Sequence, residues 1–271
     1  MSGLAGRVAF ISGVARGQGR AHAVRLARDG ADIIGFDICQ DIATMDYPNA
    51  SEEDLATTIK MVEAQGRRMV GRKADVRDYG QVAEVFQEGF ADFGRVDIVI
   101  ANAGIVRYDP EEDFISEWKD VIDVNLTGPF QTVRAALPSM IEGGRGGSIV
   151  LTSSTGGLKG SATHDAAMQA YVAAKRGLVG YMQTMANDLA PHWIRVNTIH
   201  PTGVLSGMTD NEALPRAAAR SPEGIAAMQN ALPIEILQPE DIANAVAFLV
   251  SDQARFITGV QWPLDAGFSI R

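Results

Sequence analysis

The chain has little of what marks a secreted, membrane-bound or disulfide-stabilised protein. Cys39 is its single cysteine, which excludes an intrachain disulfide and suits a reducing compartment. No apolar run approaches the ~18 residues that a membrane-spanning helix needs. Residues Met1–Arg7 contain no charged leader followed by an apolar stretch, so we expect no signal peptide. These absences predict a cytoplasmic protein without a membrane anchor.

Positive charge is also scarce, with 24 Lys and Arg against 33 Asp and Glu and a net charge of −9. A surface that follows the phosphates of a nucleic acid needs the opposite balance, so we expect no nucleic-acid partner. Cys39 has no His or Cys neighbour, and the histidines show no metal-ligand spacing, so no metal site is predicted. The chain is rich in apolar residues, 46% of 271, which is enough for the core of one larger domain spanning 1–271.

Strand-like and helix-like patterns alternate along the chain. The apolar run Val8–Ile11 precedes a glycine-rich turn and a helical pattern that ends near Arg28, and Asp32–Phe36 is the next strand. A glycine follows this helical pattern and each of the next two, as expected for left-handed helix caps. Further strands are predicted at 69–70, 96–100, 147–152, 194–199 and 259–262. The alternation predicts an α/β protein: a single-domain Rossmann fold whose doubly wound, seven-stranded parallel sheet has helices on both faces.

The turn after the first strand has the composition of a phosphate-binding loop. Glycines at 13, 17 and 19 allow the backbone to turn tightly and to approach a pyrophosphate at the N-terminus of the following helix. A lone glycine loop is a weak signal, but this one follows a strand and opens a helix, as the motif requires. The predicted cofactor contacts in the loop are Gly13, Ala15, Arg16, Gly17, Gln18 and Gly19.

Two residues bear on which dinucleotide binds. Asp37, at the end of the second strand, is placed to hydrogen-bond the adenine ribose hydroxyls and to repel a 2′-phosphate, with Ile38 beside it. Arg16 is an opposing signal, because a cation in the loop could pair with a 2′-phosphate. Since Asp37 would lie directly at the 2′ position, we predict NAD rather than NADP.

A candidate catalytic pair is formed by Tyr171 and Lys175, which are four residues apart and therefore share one face of a helix. An ammonium beside a phenol favours the phenolate, so we expect Lys175 to lower the pKa of Tyr171 and make it usable in proton transfer. Ser154 follows a buried strand and would emerge at its carboxyl end, where parallel sheets place ligands. Taken alone, a Tyr and a Lys at this spacing are more often a chance pair on a helix. The other motifs of the chain favour the catalytic interpretation.

These motifs together resemble the short-chain dehydrogenase/reductase family from end to end. Asp75-Val76 matches the pair that contacts adenine, and Asn102-Ala103-Gly104 matches the motif after the fourth strand. The resemblance implies a catalytic tetrad, and a segment that holds the nicotinamide carboxamide. The tetrad is Asn125, Ser154, Tyr171 and Lys175, and the segment is Pro201, Thr202, Gly203 and Val204.

The resemblance implies hydride transfer between a secondary alcohol or ketone and NAD. Tyr171 would be the general base or acid, Ser154 would hydrogen-bond the substrate oxygen, and Lys175 would bind the nicotinamide ribose. Asn125 would hold a water that relays protons; its plainer interpretation is a helix Asn bonded to the local backbone. The rival function is a catalytically idle NAD-binding regulator, which predicts loss of Tyr171 or Lys175, and both are present.

A narrower resemblance is to the mycofactocin-associated, carveol-dehydrogenase-like group. It rests on an insertion at Ile38–Ala50, the helix start Gly19–His22 and the tail Asp265–Phe268. It implies a small hydrophobic alcohol of carveol type and an NAD that is tightly held, without free exchange. The chain departs from the group near Gly203 and in Ser161–Gln169, which border the substrate pocket, so the substrate does not transfer. The family also implies a homotetramer of 222 symmetry.

Two segments interrupt the simple alternation. The insertion Ile38–Ala50 begins next to Asp37, so we expect it to cover the adenine end of the cofactor; a solvated loop of no consequence is the alternative. The segment 204–232 follows the sixth strand, and we expect it to be a lid over the substrate. Long loops in compact domains are commonly functional or mobile.

Overall fold

The computed structural model describes residues 3–109, 112–160, 163–221 and 229–271. Within them, seven parallel strands form one sheet in the order β3-β2-β1-β4-β5-β6-β7. The strands are β1 (Val8–Ser12), β2 (Asp32–Asp37), β3 (Met69–Lys73), β4 (Ile98–Ala101), β5 (Gly147–Thr152), β6 (Ile194–Pro201) and β7 (Gln261–Leu264). The predicted seven-stranded, doubly wound Rossmann fold is confirmed.

The strands are apolar runs because both faces of the sheet are covered. Every residue of β1 is buried, and so is every residue of β4. The sequence pattern located the start of each strand to within two residues; β4 and β7 each begin two residues later than predicted, and β3 extends three residues beyond its predicted end.

Helices α1, α2 and α8 cover one face of the sheet, and α3 to α6 cover the other, so each face has its own apolar cluster. The helices are α1 (Gly17–Arg28), α2 (Glu52–Glu63), α3 (Tyr79–Phe93), α4 (Phe114–Ile122), α5 (Gly128–Gly143), α6 (Ala166–Leu189), α7 (Ala213–Arg220) and α8 (Pro239–Val250). No helix among these described residues is long and apolar enough to cross a membrane.

The helix ends follow the sequence signals. Ser51 and Asp54 form the predicted capping box at the start of α2. Gly94 caps α3 with a φ of 72°, a left-handed conformation that glycine adopts without strain. Helix α1 begins at Gly17, one turn earlier than its apolar pattern indicates, which brings its N-terminus into the glycine loop.

The strand order reverses between β1 and β4, because the chain runs outward from β1 to β3 and then returns to the other side. In open parallel sheets ligands bind at the carboxyl ends of the strands beside such a reversal. The glycine loop, the insertion Ile38–Ala50 and the segment after β6 all leave the sheet at this edge. This geometry locates the candidate active site.

Candidate active site

The glycine loop is closed by contacts that leave no room for side chains. Gly13 has a φ of +67°, and a Cβ there would lie 2.8 Å from the Cα of Ala103. A Cβ at Gly19 would collide with the carbonyl oxygen of Gly13. Helix α1 has no acidic residue in its first turn, and the side-chain oxygen of Gln18 is buried without a hydrogen-bond partner in the described part of the chain. The loop therefore fits an anionic ligand that accepts hydrogen bonds from the backbone amides at the N-terminus of α1, and Gln18 offers an acceptor to a separate donor group.

Asp37 lies at the rim of the same cleft. Its carboxylate accepts a hydrogen bond from the Ala15 amide at 2.9 Å. Burial raises the pKa of Asp37, and backbone hydrogen bonds together with the charge of Arg16 oppose the rise. A carboxylate held in this way at the end of β2 matches the position expected for recognising ribose hydroxyls.

Arg16 is committed to protein partners. Its guanidinium donates to the carbonyl oxygen of Pro48 in the insertion at 2.7 Å. The same guanidinium packs so closely on Gly207 that a side chain there would collide with it. Arg16 therefore joins the glycine loop to the insertion and to the segment after β6, which makes a 2′-phosphate contact by this residue less favourable.

The motifs Asp75-Val76 and Asn102-Ala103-Gly104 also line the cleft, and contacts with other protein groups hold them in place. Asp75 receives a bidentate hydrogen bond from Arg77, with the shorter contact at 2.6 Å. The Val76 carbonyl accepts from Gln131 at 2.9 Å. Ser12 Oγ accepts the Asn102 amide at 3.0 Å, which ties this motif to the end of β1. These bonds hold the backbone of both motifs in place.

Ser154 and Tyr171 meet at the carboxyl end of β5. Ser154 Oγ accepts the Gly156 amide at 3.1 Å, and a hydrogen bond joins the Ser154 and Tyr171 side chains. His200 holds the backbone of Ser154 in place, because its Nδ1 donates to the Ser154 carbonyl at 2.9 Å. Its Nε2 contacts the Thr198 hydroxyl at 2.9 Å. The sequence did not single out this role for His200; its position at the end of a buried strand was the available signal.

Lys175 and Asn125 come together beside Gly104. A Cβ at Gly104 would lie 2.9 Å from Asn125 Oδ1 and 3.3 Å from Lys175 Nζ, so this position requires glycine. Lys175 Nζ donates to the carbonyl oxygen of Thr152 at 2.9 Å. Asn125 lies in a short π-helical turn, a feature that is frequent at functional sites. The predicted tetrad is therefore assembled in one place.

The expected effect of Lys175 on Tyr171 was wrong for this structure. Burial raises the pKa of Tyr171, and the hydrogen bond to Ser154 is the opposing effect. Lys175 Nζ is 5.5 Å from the centre of the Tyr171 ring, and burial lowers the pKa of Lys175 to about 7. Desolvation therefore outweighs the pairing of the two groups, because both lie in the interior.

Both interpretations of Asn125 have support. Its side-chain amide donates to the carbonyls of Ile105 and of Val121, one turn earlier, at 2.9 Å each. The second bond is the local backbone contact of a structural Asn. The proximity of its Oδ1 to Lys175 is the arrangement that a proton relay would use.

Residues 13–269 match the profile of the family described as enoyl-(acyl carrier protein) reductase. A putative short-chain type dehydrogenase/reductase of Mycolicibacterium smegmatis is 47% identical over 277 residues, covering 98% of each chain. A (−)-trans-carveol dehydrogenase of Rhodococcus erythropolis is 42% identical over 281 residues, covering 100% of each. The crystal structure of carveol dehydrogenase from Mycobacterium avium in complex with NAD superposes with a TM-score of 0.92, at 44% identity over 100% of both chains.

This chain belongs to the short-chain dehydrogenase/reductase family. The resemblance to that family and to its carveol-dehydrogenase-like members is confirmed.

Most of the residues predicted from the family motifs line the cleft. They are Gly13, Arg16, Gly17, Gln18, Asp37, Ile38, Asp75, Val76, Asn102, Ala103, Gly104, Tyr171 and Lys175. Ala15, Gly19, Asn125 and Ser154 are not part of this lining but contact residues that are, as described above. Among the described residues no group of His, Cys, Asp and Glu is arranged to hold a metal ion.

The residues of the segment after β6 that line the cleft are Ser206, Gly207 and Met208. Pro201–Val204 lie outside this lining, and their contact with the nicotinamide carboxamide stays a prediction. Val204 is buried and pairs with Leu237, through hydrogen bonds that the Gly203 carbonyl and the Leu205 amide make to Leu237 at 2.9 Å each. Of the predicted lid, residues 222–228 lie outside the described residues.

The insertion contributes Ile42, Tyr47, Asn49 and Ala50 to the cleft wall, in addition to the predicted Ile38. Three of these side chains, and also Cys39, are buried. The insertion therefore borders the same cleft as the glycine loop and Tyr171.

Proposed function

We propose that this protein is an NAD-dependent oxidoreductase that interconverts a secondary alcohol and a ketone. The observation that carries the proposal is the assembly of Ser154, Tyr171, Lys175 and Asn125 at the sheet edge that also carries the glycine loop. Its relatives named as dehydrogenases, and the NAD-bound structure it superposes on, support the same reaction class. No observation favours the catalytically idle alternative.

The cleft residues fit NAD. The glycine loop and the N-terminus of α1 would hold the pyrophosphate, and Asp37 would hold the adenine ribose. Lys175 and Asn102 would lie at the nicotinamide end, beside Tyr171. NAD, when bound, supplies the hydride acceptor or donor of the reaction.

The protein's own part of the chemistry is to orient the substrate and to move one proton. The Tyr171 hydroxyl would take the proton of the alcohol during oxidation and return it to the carbonyl oxygen during reduction. Ser154 would donate a hydrogen bond to that oxygen and stabilise the charge that develops there. The raised pKa of Tyr171 keeps the phenol protonated near neutral pH, which favours carbonyl reduction there and alcohol oxidation at higher pH.

The substrate class we propose is a small hydrophobic secondary alcohol, of carveol type or related to it. The support is the name of the Rhodococcus relative and the apolar wall that Ile42, Ile105 and Met208 give the cleft. An apolar site discriminates by shape more than by hydrogen bonding, so several cyclic alcohols are expected to react.

We also propose that the insertion retains the cofactor. Arg16 links it to the glycine loop through Pro48, and its buried Ile42 and Tyr47 lie against the cleft. A fixed wall beside the bound nucleotide slows its release, so the effect lies mainly on the off-rate. The mycofactocin association and a cytoplasmic location remain predictions.

A homotetramer is the proposed assembly. Helix α4 exposes Phe114, Ile115 and Trp118, which are 56%, 64% and 41% accessible. Apolar side chains clustered in this way commonly mark an interface, and closed symmetric assemblies are common among soluble enzymes. Light scattering that reports a monomer at micromolar concentration would contradict this proposal.

The reaction is tested with a panel of cyclic secondary alcohols and their ketones, each with NAD and with NADP. We expect turnover with NAD, and for Tyr171→Phe a loss of about 10²- to 10⁴-fold, because the proton carrier is removed while the ring remains. Near-normal turnover by this variant, or no turnover of any alcohol by the native protein, would reject the proposal.

A further inference from the structure

Tyr108 lies beyond the end of β4, in a segment that the cofactor motifs do not include. Its ring centre is 6.3 Å from that of Tyr47, an insertion residue. Burial raises the pKa of Tyr108 well above its usual value, and the proximity of Tyr47, Tyr171 and Asp46 adds to the rise. Tyr47 lines the cleft together with Tyr171, so the Tyr108 ring lies beside a residue of the cleft wall.

The backbone of Tyr108 is held from two sides. Asp46 Oδ2 accepts the amide of Tyr108 at 2.7 Å and the amide of Asp109 at 2.5 Å. On the other side, Arg220 of α7 donates to the Tyr108 carbonyl at 2.5 Å. Side chains from the insertion and from α7 thus bond to both the amide and the carbonyl of Tyr108. The backbone of an ordinary surface loop can bond to water instead.

The neighbouring residues repeat this attachment to the insertion. The Val106 amide donates to the Tyr47 hydroxyl at 3.2 Å, and Arg107 donates to the Thr44 carbonyl at 2.8 Å. Arg107 also pairs with Glu117 at 3.3 Å, and both side chains are almost fully buried. Breaking such a buried pair is costly, so this contact helps to hold the segment in place.

The side chain of Tyr108 differs from its backbone, because its hydroxyl makes no hydrogen bond to the described part of the protein. A phenol that is half-buried and lies beside Tyr47 of the cleft wall has an apolar face and one free donor. These are the two properties that a substrate wall uses: the ring limits width and the hydroxyl recognises a polar group.

We propose that Tyr108 is a specificity-determining residue for the alcohol, and that Asp46 is the positioning residue through which the insertion sets its place. The proposal rests on the proposed function, since it concerns the substrate of the same site. It assigns to the insertion a second role, at the substrate end of the cleft, that is separate from retaining the cofactor. The substrate class is an alcohol whose ring is narrow enough to pass the Tyr108 side chain.

The test compares kcat/KM for a narrow alcohol, cyclohexanol, and a broad one, a decahydronaphthol. Tyr108→Ala should move the ratio toward the broad alcohol by roughly tenfold or more, because one aromatic wall is removed. Tyr108→Leu is the second variant, which keeps apolar volume in case the alanine variant does not fold. Tyr108→Phe keeps the ring, so its width selectivity should remain native.

Asp46 is tested with the same two alcohols. Asp46→Ala should move the ratio in the same direction as Tyr108→Ala, whereas Asp46→Asn retains a carbonyl acceptor and should restore the native ratio. Asp41→Ala is the matched control, because this carboxylate bonds only to Asn49 within the insertion in the described contacts. Thermal unfolding of each variant establishes that it is folded.

The outcomes separate the inference from the proposed function. Native protein that oxidises cyclohexanol, with Tyr108→Ala and Tyr108→Leu losing activity equally on both alcohols, would overturn this inference alone. The same holds if Asp46→Ala behaves as Asp41→Ala does. Native protein that oxidises neither these alcohols nor any other secondary alcohol would overturn both.

Discussion

The two segments that border the cleft, the insertion Ile38–Ala50 and the segment after β6, are attached by different forces. The insertion buries Cys39, Ile42, Tyr47 and Ala50, and its polar groups bond to neighbouring backbone. Contacts of this kind are shielded from solvent and from salt. The insertion is therefore part of the fixed scaffold.

Helix α7, in the second segment, buries only Ala213. It is attached largely by charge: Arg216 and Arg220 both bond to the carboxylate of Asp109, at 2.6 Å and 3.1 Å. These side chains are substantially exposed, and exposed ion pairs contribute little and weaken with salt. The comparison indicates that the insertion is a rigid wall of the cleft and that the segment after β6, with α7, is an adjustable wall. The two walls meet at Tyr108–Asp109.

The largest expected effect is a difference in stability between a variant of the insertion and a variant of α7. Tyr47→Ala should lower the free energy of unfolding by about 3 kcal/mol, because a buried aromatic side chain is removed. Arg216→Ala should leave the urea midpoint close to the native value. Equal midpoint shifts for the two variants, measured by urea unfolding, would contradict the distinction between the walls.

Acid should weaken the scaffold beneath both walls. His22 in α1 is fully buried, and burial lowers its pKa to about 3, whereas an unfolded His titrates near ~6.5. Stability is therefore intact above ~6.5 and falls as the pH drops toward ~3, by about 2 kcal/mol at pH 5. His22→Leu should lose this dependence. Urea unfolding at pH 7 and pH 5 measures this loss of stability. An equal loss in the native protein and in His22→Leu would contradict the prediction.

Cofactor choice tests how firmly Arg16 is held between the walls. Asp37→Ala should reduce discrimination against NADP by roughly tenfold, about 1.4 kcal/mol, through lost repulsion. Because Arg16 bonds to Pro48 and packs on Gly207, adding Arg16→Ala should not cancel the gain. The measurement is kcat/KM with each cofactor. A native preference for NADP would show that Asp37 has been misread.

The smallest effect concerns the charged attachment of α7. Arg216→Gln combined with Arg220→Gln should raise the KM for the alcohol by about two- to fivefold, and ~1 M salt should do the same to the native protein. Arg72→Gln is the control, since it breaks an exposed pair with Glu88 at the far edge of the sheet. A double variant whose KM still rises with salt would count against the charge-based attachment.

Local patterns were sufficient to predict much of the fold and the site. Glycine at 13 and 19, the capping box at Ser51 and the spacing of Tyr171 and Lys175 are properties of short stretches, and the structure retains them. The parallel sheet followed from the repeated helix-glycine-strand pattern. These features depend on backbone geometry, which a short sequence specifies well.

What the sequence did not predict depends on contacts between distant segments. The pKa of Lys175 falls because of burial by the whole fold, and no residue near it in sequence signals this. The partners of Arg16 and Asp46 lie in other loops. The pairing of Val204 with Leu237 and the place of Ser206–Met208 in the cleft lining are further contacts that no local pattern encodes.

The most direct test of the two-wall account is the rate at which bound nicotinamide cofactor leaves the purified protein. Three proteins are compared by gel filtration and mass spectrometry: native, one with residues 40–49 replaced by a short glycine-containing turn, and Arg216→Gln with Arg220→Gln. We predict slow release from the native protein and the α7 variant, and release about tenfold faster or more from the shortened insertion. Native protein that purifies empty, or a shortened insertion that retains cofactor equally well, would contradict the account.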